Sequence, residues 1–300
     1  MYRFLSQEGR FLGLEDNAAL GETSRVIIVP VPFERTSSYG GGAGNGPAAI
    51  LSASKQVELY DGDLGFEPWK AALGIATLFP LRVNENDDGK SIAERVDRVV
   101  DYWLTQGKTV VTLAGEHTGV VGAIRAYARH YEPLTILQLD AHSDARDTYL
   151  DDPWNHACTM ARVFDFHSNV VQVGIRSEAI EEPSVLQRMG IPVFRSADIQ
   201  RDHRLGADWI APIIEACAEN VYVTLDSDVM DPSVIPATGT PEPGGVTWEQ
   251  MEALWTRLAE ERNVVGVDMS ELAPIPGISF PEFTAAKLLY RIIGHVFKGS

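Results

Sequence analysis

Cysteine is scarce. The 300 residues hold two, Cys158 and Cys217, which excludes a disulfide framework and suits a reducing cytoplasm, the expected location. Positive charge is also short: 25 Lys and Arg stand against 42 Asp and Glu, a net charge of −17. Phosphate backbones need a basic surface, so no nucleic-acid partner is expected. An acidic field favours approaching cations, metals and amines among them; it also simply keeps a protein soluble, and charge alone leaves both readings open. No apolar run reaches the 18 residues of a membrane span, so no membrane partner is expected. Residues 1–13 lack the basic start and apolar stretch of a secretory leader. No Gly/Ser linker, charge run or internal repeat divides the chain, and 1–300 reads as a single domain.

What is present is an ordinary globular balance, 45% hydrophobic and 22% charged, on a chain long enough for one large core. Short β-branched runs recur at Val26–Pro30, Ala72–Ala76, Thr109–Leu113, Thr135–Leu139, Val170–Gly174, Ile191–Phe194, Val221–Leu225 and Val264–Val267. They are nearly all apolar, as parallel strands covered on both faces must be. Amphipathic stretches lie between them, at Ser91–Gln106, Gly119–His130, Trp209–Glu219 and Thr247–Glu260. This alternation predicts an α/β, three-layer, doubly wound sheet of about eight mainly parallel strands. The segment Gly40–Gly46 precedes Pro47, a good first residue for a helix over Ala48–Ser54. It lacks the Gly-Lys-Ser/Thr of a phosphate loop and the spacing of a dinucleotide site. It is either a loop lining a cleft or a plain connector.

Ligands of an open parallel sheet bind beyond the carboxyl ends of its strands. Four predicted strand ends carry suitable groups: Ala114-Gly115-Glu116-His117, Asp140-Ala141-His142-Ser143-Asp144, Asp226-Ser227-Asp228 and Asp268-Met269-Ser270-Glu271. In extended backbone, residues at i, i+2 and i+4 share a face, so Asp140, His142 and Asp144 can aim at one point. Asp226 and Asp228 repeat the spacing. A lone Asp-x-Asp after a strand is usually a turn or helix cap; Asp-x-His-x-Asp after an apolar strand is far more specific. Carboxylates so crowded repel one another unless cations lie between them. Four carboxylates with two imidazoles suit two divalent ions of intermediate hardness, Mn²⁺ better than Zn²⁺ or Ca²⁺.

With these motifs, together with Thr224-Leu225-Asp226-Ser227-Asp228 before Asp231-Pro232, Gly239-Thr240-Pro241-Glu242-Pro243-Gly244-Gly245 and Glu271-Leu272-Ala273-Pro274, the chain resembles the ureohydrolase family of arginases and agmatinases, from about Val26 to Ile293. The resemblance implies an arginase-like fold whose four site-bearing strands lie side by side. It implies two Mn²⁺ per chain, held by His117, Asp140, His142, Asp144, Asp226 and Asp228. His117 and Asp144 would serve one ion, His142 and Asp228 the other, and Asp140 and Asp226 would bridge. Such a pair of ions lowers the pKa of a shared water toward neutrality. Glu271 matches the family's guanidinium-binding glutamate, a two-pronged acceptor for the N–H fork. His156 matches a loop histidine near the substrate and is expected to shuttle a proton to the leaving amine. Cys158 reads as a small buried residue, because a thiol nucleophile would need its own base. Arg176, in Gly174-Ile175-Arg176-Ser177, is expected to pair with a carboxylate at the edge of the site. Homotrimers or homohexamers are usual in the family.

Departures from the family's commonest patterns bear on the substrate. Glu116 stands where Asp is usual, with no loss of metal expected. Arginases carry an asparagine in the place of Arg146 that helps hold the amino-acid carboxylate, and the segment after Arg176 lacks the Asp-x-Asp that grips an α-amino group. The expected reaction is therefore agmatine to putrescine and urea. The alternatives are N1-aminopropylagmatine and, if Arg146 faces the cleft unpaired, guanidinobutyrate; arginine is disfavoured. Acidic neighbours Asp147, Asp151 and Asp152 would instead neutralise Arg146. The non-enzyme alternative is a metal-binding pseudoenzyme.

Overall fold

The structure is a computed structural model that describes residues 2–16, 21 and 23–298. Eight strands form one sheet: β1 (Val26–Val31), β2 (Ile75–Thr77), β3 (Thr109–Ala114), β4 (Leu134–Leu139), β5 (Val170–Ile175), β6 (Val193–Arg195), β7 (Asn220–Asp226) and β8 (Asn263–Ser270). Every pairing is parallel, in the order β2-β1-β3-β8-β7-β4-β5-β6. Each of the eight expected runs contributes to a strand, with ends shifted by up to a few residues, as at β2, where Gly74 turns at φ +104 just before the strand. The central strands are buried along nearly their whole length, which is why they read as unbroken apolar runs.

The helices are α1 (Gly46–Ser54), α2 (Pro68–Ala71), α3 (Gly89–Thr105), α4 (Val121–His130), α5 (Thr159–Phe164), α6 (Glu182–Met189), α7 (Ser196–Arg204), α8 (Ala211–Ala216), α9 (Trp248–Glu261) and α10 (Phe280–Phe297). One core packs α3, α4 and α5 on one sheet face, through residues such as Val96, Val100, Ile124 and Met160. The other packs α1, α8, α9 and α10 on the opposite face, through Ile50, Ile213, Leu254 and Leu288. Three layers result, as the alternation predicts.

Local chemistry sets the helix ends. Asp88 accepts from the backbone of Ser91, whose hydroxyl accepts from Asp88 in return, and Thr247 and Gln250 repeat this box on α9. Each cap is worth about 1 kcal/mol. Helix α1 starts at Gly46 with Pro47 in its first turn. Helices α3 and α4 touch at Gly122, where a Cβ would lie 1.9 Å from the carbonyl oxygen of Ala93; any larger residue forces the two apart. The stretch Trp209–Glu219 is helical only over Ala211–Ala216.

The chain runs outward from β1 to β2, returns to β3, then crosses to β4, β5 and β6 on the far side. Strands β7 and β8 fill the gap between β3 and β4. The four strands carrying the chemical motifs are therefore neighbours, in the order β3-β8-β7-β4, and their carboxyl ends converge at the switch point where such sheets bind ligands.

Candidate metal centre

Two groups of ligand atoms lie at those strand ends. His117, Asp140 and Asp226 bring ligand atoms within 4.8 Å of one another, and so do Asp140, His142 and Asp228. Asp140 belongs to both. His117 Nδ1 lies 2.9 Å from Asp144, 3.4 Å from Asp140 and 3.8 Å from Asp226. His142 Nδ1 lies 2.8 Å from Asp228 and 3.8 Å from Asp140. All six sequence-predicted ligands thus meet in one cluster, and five are buried; His142 alone keeps a quarter of its side chain exposed.

The convergence is achieved differently from simple alternation along a strand. β4 ends at Leu139, and Asp144 turns inward from a left-handed backbone, φ +49. After β7 the chain enters a 3-10 turn, Ser227–Val229, and Asp226 caps it by accepting the N–H of Asp228 at 2.9 Å. Pleat geometry alone would not carry Asp144 back to His117. A non-glycine residue in the left-handed region is costly and persists where surrounding contacts hold it; here the Asp144 carbonyl accepts from Met160 and Ala161 at the start of α5.

Electrostatics identify what the cluster lacks. Burial first, then the Asp228 carboxylate, push Asp140 and Asp226 well above the usual carboxylate range. Burial works against charge on Asp228 and His142 too, but their mutual hydrogen bond holds Asp228 at about 2 and lifts His142 to about 9. A set of oxygen and imidazole donors that stays charged only against its neighbours is suited to divalent cations.

Behind the ligands runs a supporting layer; Asp268 and Thr224 stand in the sequence motifs named above, but with no such role attached to them. His117 Nε2 meets Thr224 Oγ1 at 3.0 Å, Thr224 donates to Asp268 at 2.9 Å, and Tyr222 donates to the other Asp268 oxygen at 2.7 Å. All are fully buried. Such a chain fixes the imidazole tautomer and leaves Nδ1 facing the cluster. On the other side, Gln138 donates to Asp140 at 2.8 Å and is held by Gln172 at 2.6 Å. The signal was in the strands: Thr224, Gln138 and Gln172 are polar breaks in apolar runs, which burial tolerates only when they are hydrogen-bonded.

Glu271 and His156 stand at the same site. Glu271 is buried, adopts φ +61, and accepts the backbone N–H of His117 at 2.7 Å. Burial and then the nearby Glu116 hold its carboxyl well above the ordinary range. His156 Nδ1 lies 3.8 Å from Glu271 Oε1, and its Nε2 is buried without a hydrogen-bond partner. Burial lowers its pKa, keeping the ring neutral. Its position is traceable to Glu116, whose carboxylate accepts the N–H groups of Arg35 and Thr36, both at 2.7 Å. Thr36 Oγ1 in turn accepts the N–H of His156 at 2.8 Å.

A cleft of about 240 Å³ opens over the cluster, lined by Asp144, Asp228, His156 and Glu271 together with Arg146, Glu242 and Gly40. The glycine-rich loop does line this cleft, at Gly40. Arg146 makes no ion pair with Asp147, Asp151 or Asp152 among the described residues; its guanidinium lies 4.5 Å from the Tyr149 ring centre, while Asp147 pairs with Arg162 at 2.8 Å. Arg176 does not pair with a carboxylate as expected. It donates to the main-chain carbonyls of Asp228 at 2.6 Å, Glu242 at 2.8 Å and Gly174 at 3.2 Å, because the turn after β7 and the 239–245 loop present carbonyls beside the end of β5. Cys158 is buried, and burial pushes its thiol up to about 12, far from a thiolate nucleophile.

Comparison with known proteins agrees with this geometry. An N(1)-aminopropylagmatine ureohydrolase of Synechocystis is 36% identical over 98% of this chain and 95% of its own. An agmatinase of Pyrococcus horikoshii is 33% identical over 89% of this chain and 90% of its own. The crystal structure of an agmatine ureohydrolase of Thermoplasma volcanium superposes with a TM-score of 0.82 at 29% identity, covering 94% of this chain and 93% of that one. Residues 24–294 match the arginase family pattern, and the chain belongs to the arginase family.

Proposed function

We propose that this chain, read as one ureohydrolase domain over 1–300, is a manganese-dependent agmatinase that cleaves agmatine to putrescine and urea, a step of polyamine biosynthesis. The observation that carries the reading is the double ligand cluster sharing Asp140, with Glu271 and His156 on the same cleft. His117 and Asp144 would hold one ion, His142 and Asp228 the other, with Asp140 and Asp226 between them. When bound, such a pair supplies a water activated for attack at neutral pH.

The chain's own residues do the rest. Glu271 receives the guanidinium N–H groups, its carboxylate already oriented by the His117 backbone. The incoming cation compensates the charge that burial otherwise disfavours. Water oxygen attacks the guanidinium carbon, and one of its protons passes to the neutral ring of His156. His156 returns that proton to the departing nitrogen, the carbon–nitrogen bond breaks, and the remaining proton of the added water passes from its hydroxyl to the freed amine, so that urea and an alkylammonium ion leave.

N1-aminopropylagmatine is the second reading, favoured by the Synechocystis relative that carries that name. Urea release from agmatine, N1-aminopropylagmatine, 4-guanidinobutyrate and arginine, with Mn²⁺ supplied, tests both. One of the two amine substrates should be cleaved at least about 30-fold better than arginine in kcat/KM, the worth of one charged contact. Preference for arginine or guanidinobutyrate sinks the amine reading, and no urea from any of the four supports a pseudoenzyme.

A further inference from the structure

Besides the metal cluster and Glu271, three carboxylates line the cleft: Glu178, Glu182 and Glu242. Two of them are already committed. Glu178 pairs with Arg195 and accepts from Ser143. Glu182 accepts the backbone N–H groups of Ala145 and Ala179. The half-buried Glu242 side chain has neither a hydrogen bond nor an ion pair among the described residues.

Its backbone, by contrast, is held on every side. Arg176 grips the Glu242 carbonyl with Nε at 3.3 Å and Nη2 at 2.8 Å, while the same guanidinium grips the Asp228 carbonyl. Pro241 and Pro243 flank it and fix their own φ angles. Downstream, Asp231 accepts the N–H groups of Gly244 and Gly245. Upstream, the Gly239 carbonyl accepts from Gly40 at 3.0 Å. A free carboxylate on so tightly clamped a loop, lining the same cleft as His142 and Glu271, is placed to receive a cation at little ordering cost. Arg146 also lines the cleft without an ion pair among the described residues, over the Tyr149 ring, the arrangement that would favour guanidinobutyrate, so that compound belongs in the test.

We infer that Glu242 receives the tail ammonium of the substrate and so selects amine-tailed guanidines over neutral or acidic ones. The inference rests on the hydrolysis of amine-tailed guanidines proposed above. Glu242 acts on binding, with the reacting atoms at the other end of the molecule, so its removal should appear mainly in KM.

The test compares Glu242→Gln and Glu242→Lys with the wild-type holoenzyme on agmatine, N1-aminopropylagmatine, butylguanidine and 4-guanidinobutyrate. Butylguanidine keeps the guanidinium and loses the tail charge. Glu242→Gln should lower kcat/KM for the better amine substrate about tenfold more than for butylguanidine, through KM. Glu242→Lys should widen that gap and raise the relative rate on 4-guanidinobutyrate. Equal losses on all four compounds, or a loss carried by kcat, overturn the assignment and mark Glu242 as structural. An unchanged amine preference overturns it as well. In each of these cases wild-type turnover of amine substrates leaves the proposed function standing; a wild type that cleaves butylguanidine but no amine substrate removes both.

Discussion

At the residue scale, most of the site is legible because ligands come in short motifs. The spacing of Asp140, His142 and Asp144 singles out three candidate ligands, and the other strand-end clusters strengthen the reading. What spacing does not convey is backbone conformation, since Asp144 and Glu271 reach the cluster from left-handed φ values that no composition rule requires. The support behind His117 is hidden for another reason: Thr224, Tyr222 and Asp268 sit on two strands, and only their pairing register, Thr224 opposite Asp268, brings them together. Asp268→Asn should weaken Mn²⁺ binding about 10- to 100-fold, read by titration of metal into stripped protein; unchanged affinity would show the chain to be packing alone. If Asp140 and Asp226 bridge two ions as proposed, replacing either with Asn should hurt more than replacing Asp228; bound manganese per chain measures this. Glu271→Gln should lower kcat/KM for every guanidino substrate, since it removes the charge that meets their common group. Uptake of metal should strengthen as pH rises toward 9. His142 is lifted to about 9 and must lose its proton to become a ligand, and proton release on Mn²⁺ addition reads this directly.

At the scale of elements, the apolar strands can be read directly, whereas several short helices cannot. α5, α6 and α7 hold between six and nine residues each and depend on tertiary packing more than on their own periodicity. Helix α10 has an apolar composition nearly all round, with thirteen buried residues, so it shows no clean amphipathic stripe. Its docking relies on charge at a few points. Asp61, almost wholly buried, accepts from Lys287 at 2.8 Å, and Arg291 joins Asp63 at 2.6 Å and Glu252 at 2.7 Å. Burial raises the Asp61 pKa, but the Lys287 hydrogen bond, the Leu64 N–H and the two cations outweigh it and leave it below the usual value. Because the folded value is depressed, this stabilisation is complete above about pH 4 and disappears as pH falls through the folded value. Asp61→Asn should destabilise the protein by about 3 kcal/mol at neutral pH, by denaturant titration, with the difference from wild type shrinking in acid.

At the scale of the whole molecule, the −17 charge acts at distances beyond any contact. If it steers the cationic substrate, kcat/KM should fall as salt rises from about 10 mM to about 200 mM while kcat holds; a flat response would leave acidity to solubility alone. We expect closed homo-oligomers, trimers or hexamers, as the family resemblance implies. Light scattering that finds only monomer at micromolar concentration would refute that. Among the described residues no helix is long and apolar enough to cross a membrane.

The insertion of β7 and β8 between β3 and β4 has a consequence in time. Before residues 220–270 join, β2-β1-β3 and β4-β5-β6 could pair only as two separate half-sheets, each with an open central edge. Those edges belong to β3 and β4, the strands that carry His117 and Asp140 at their ends. Parallel pairing over such sequence separations forms slowly, and open edges invite association with other chains. Synthesis would therefore supply Asp226 and Asp228 after the other candidate ligands, and a bound metal would stabilise only a sheet that has β7 in place. Pulse-labelled hydrogen exchange during refolding should show the β3–β8 and β7–β4 amides gaining protection together, after those of β1–β3 and β4–β5.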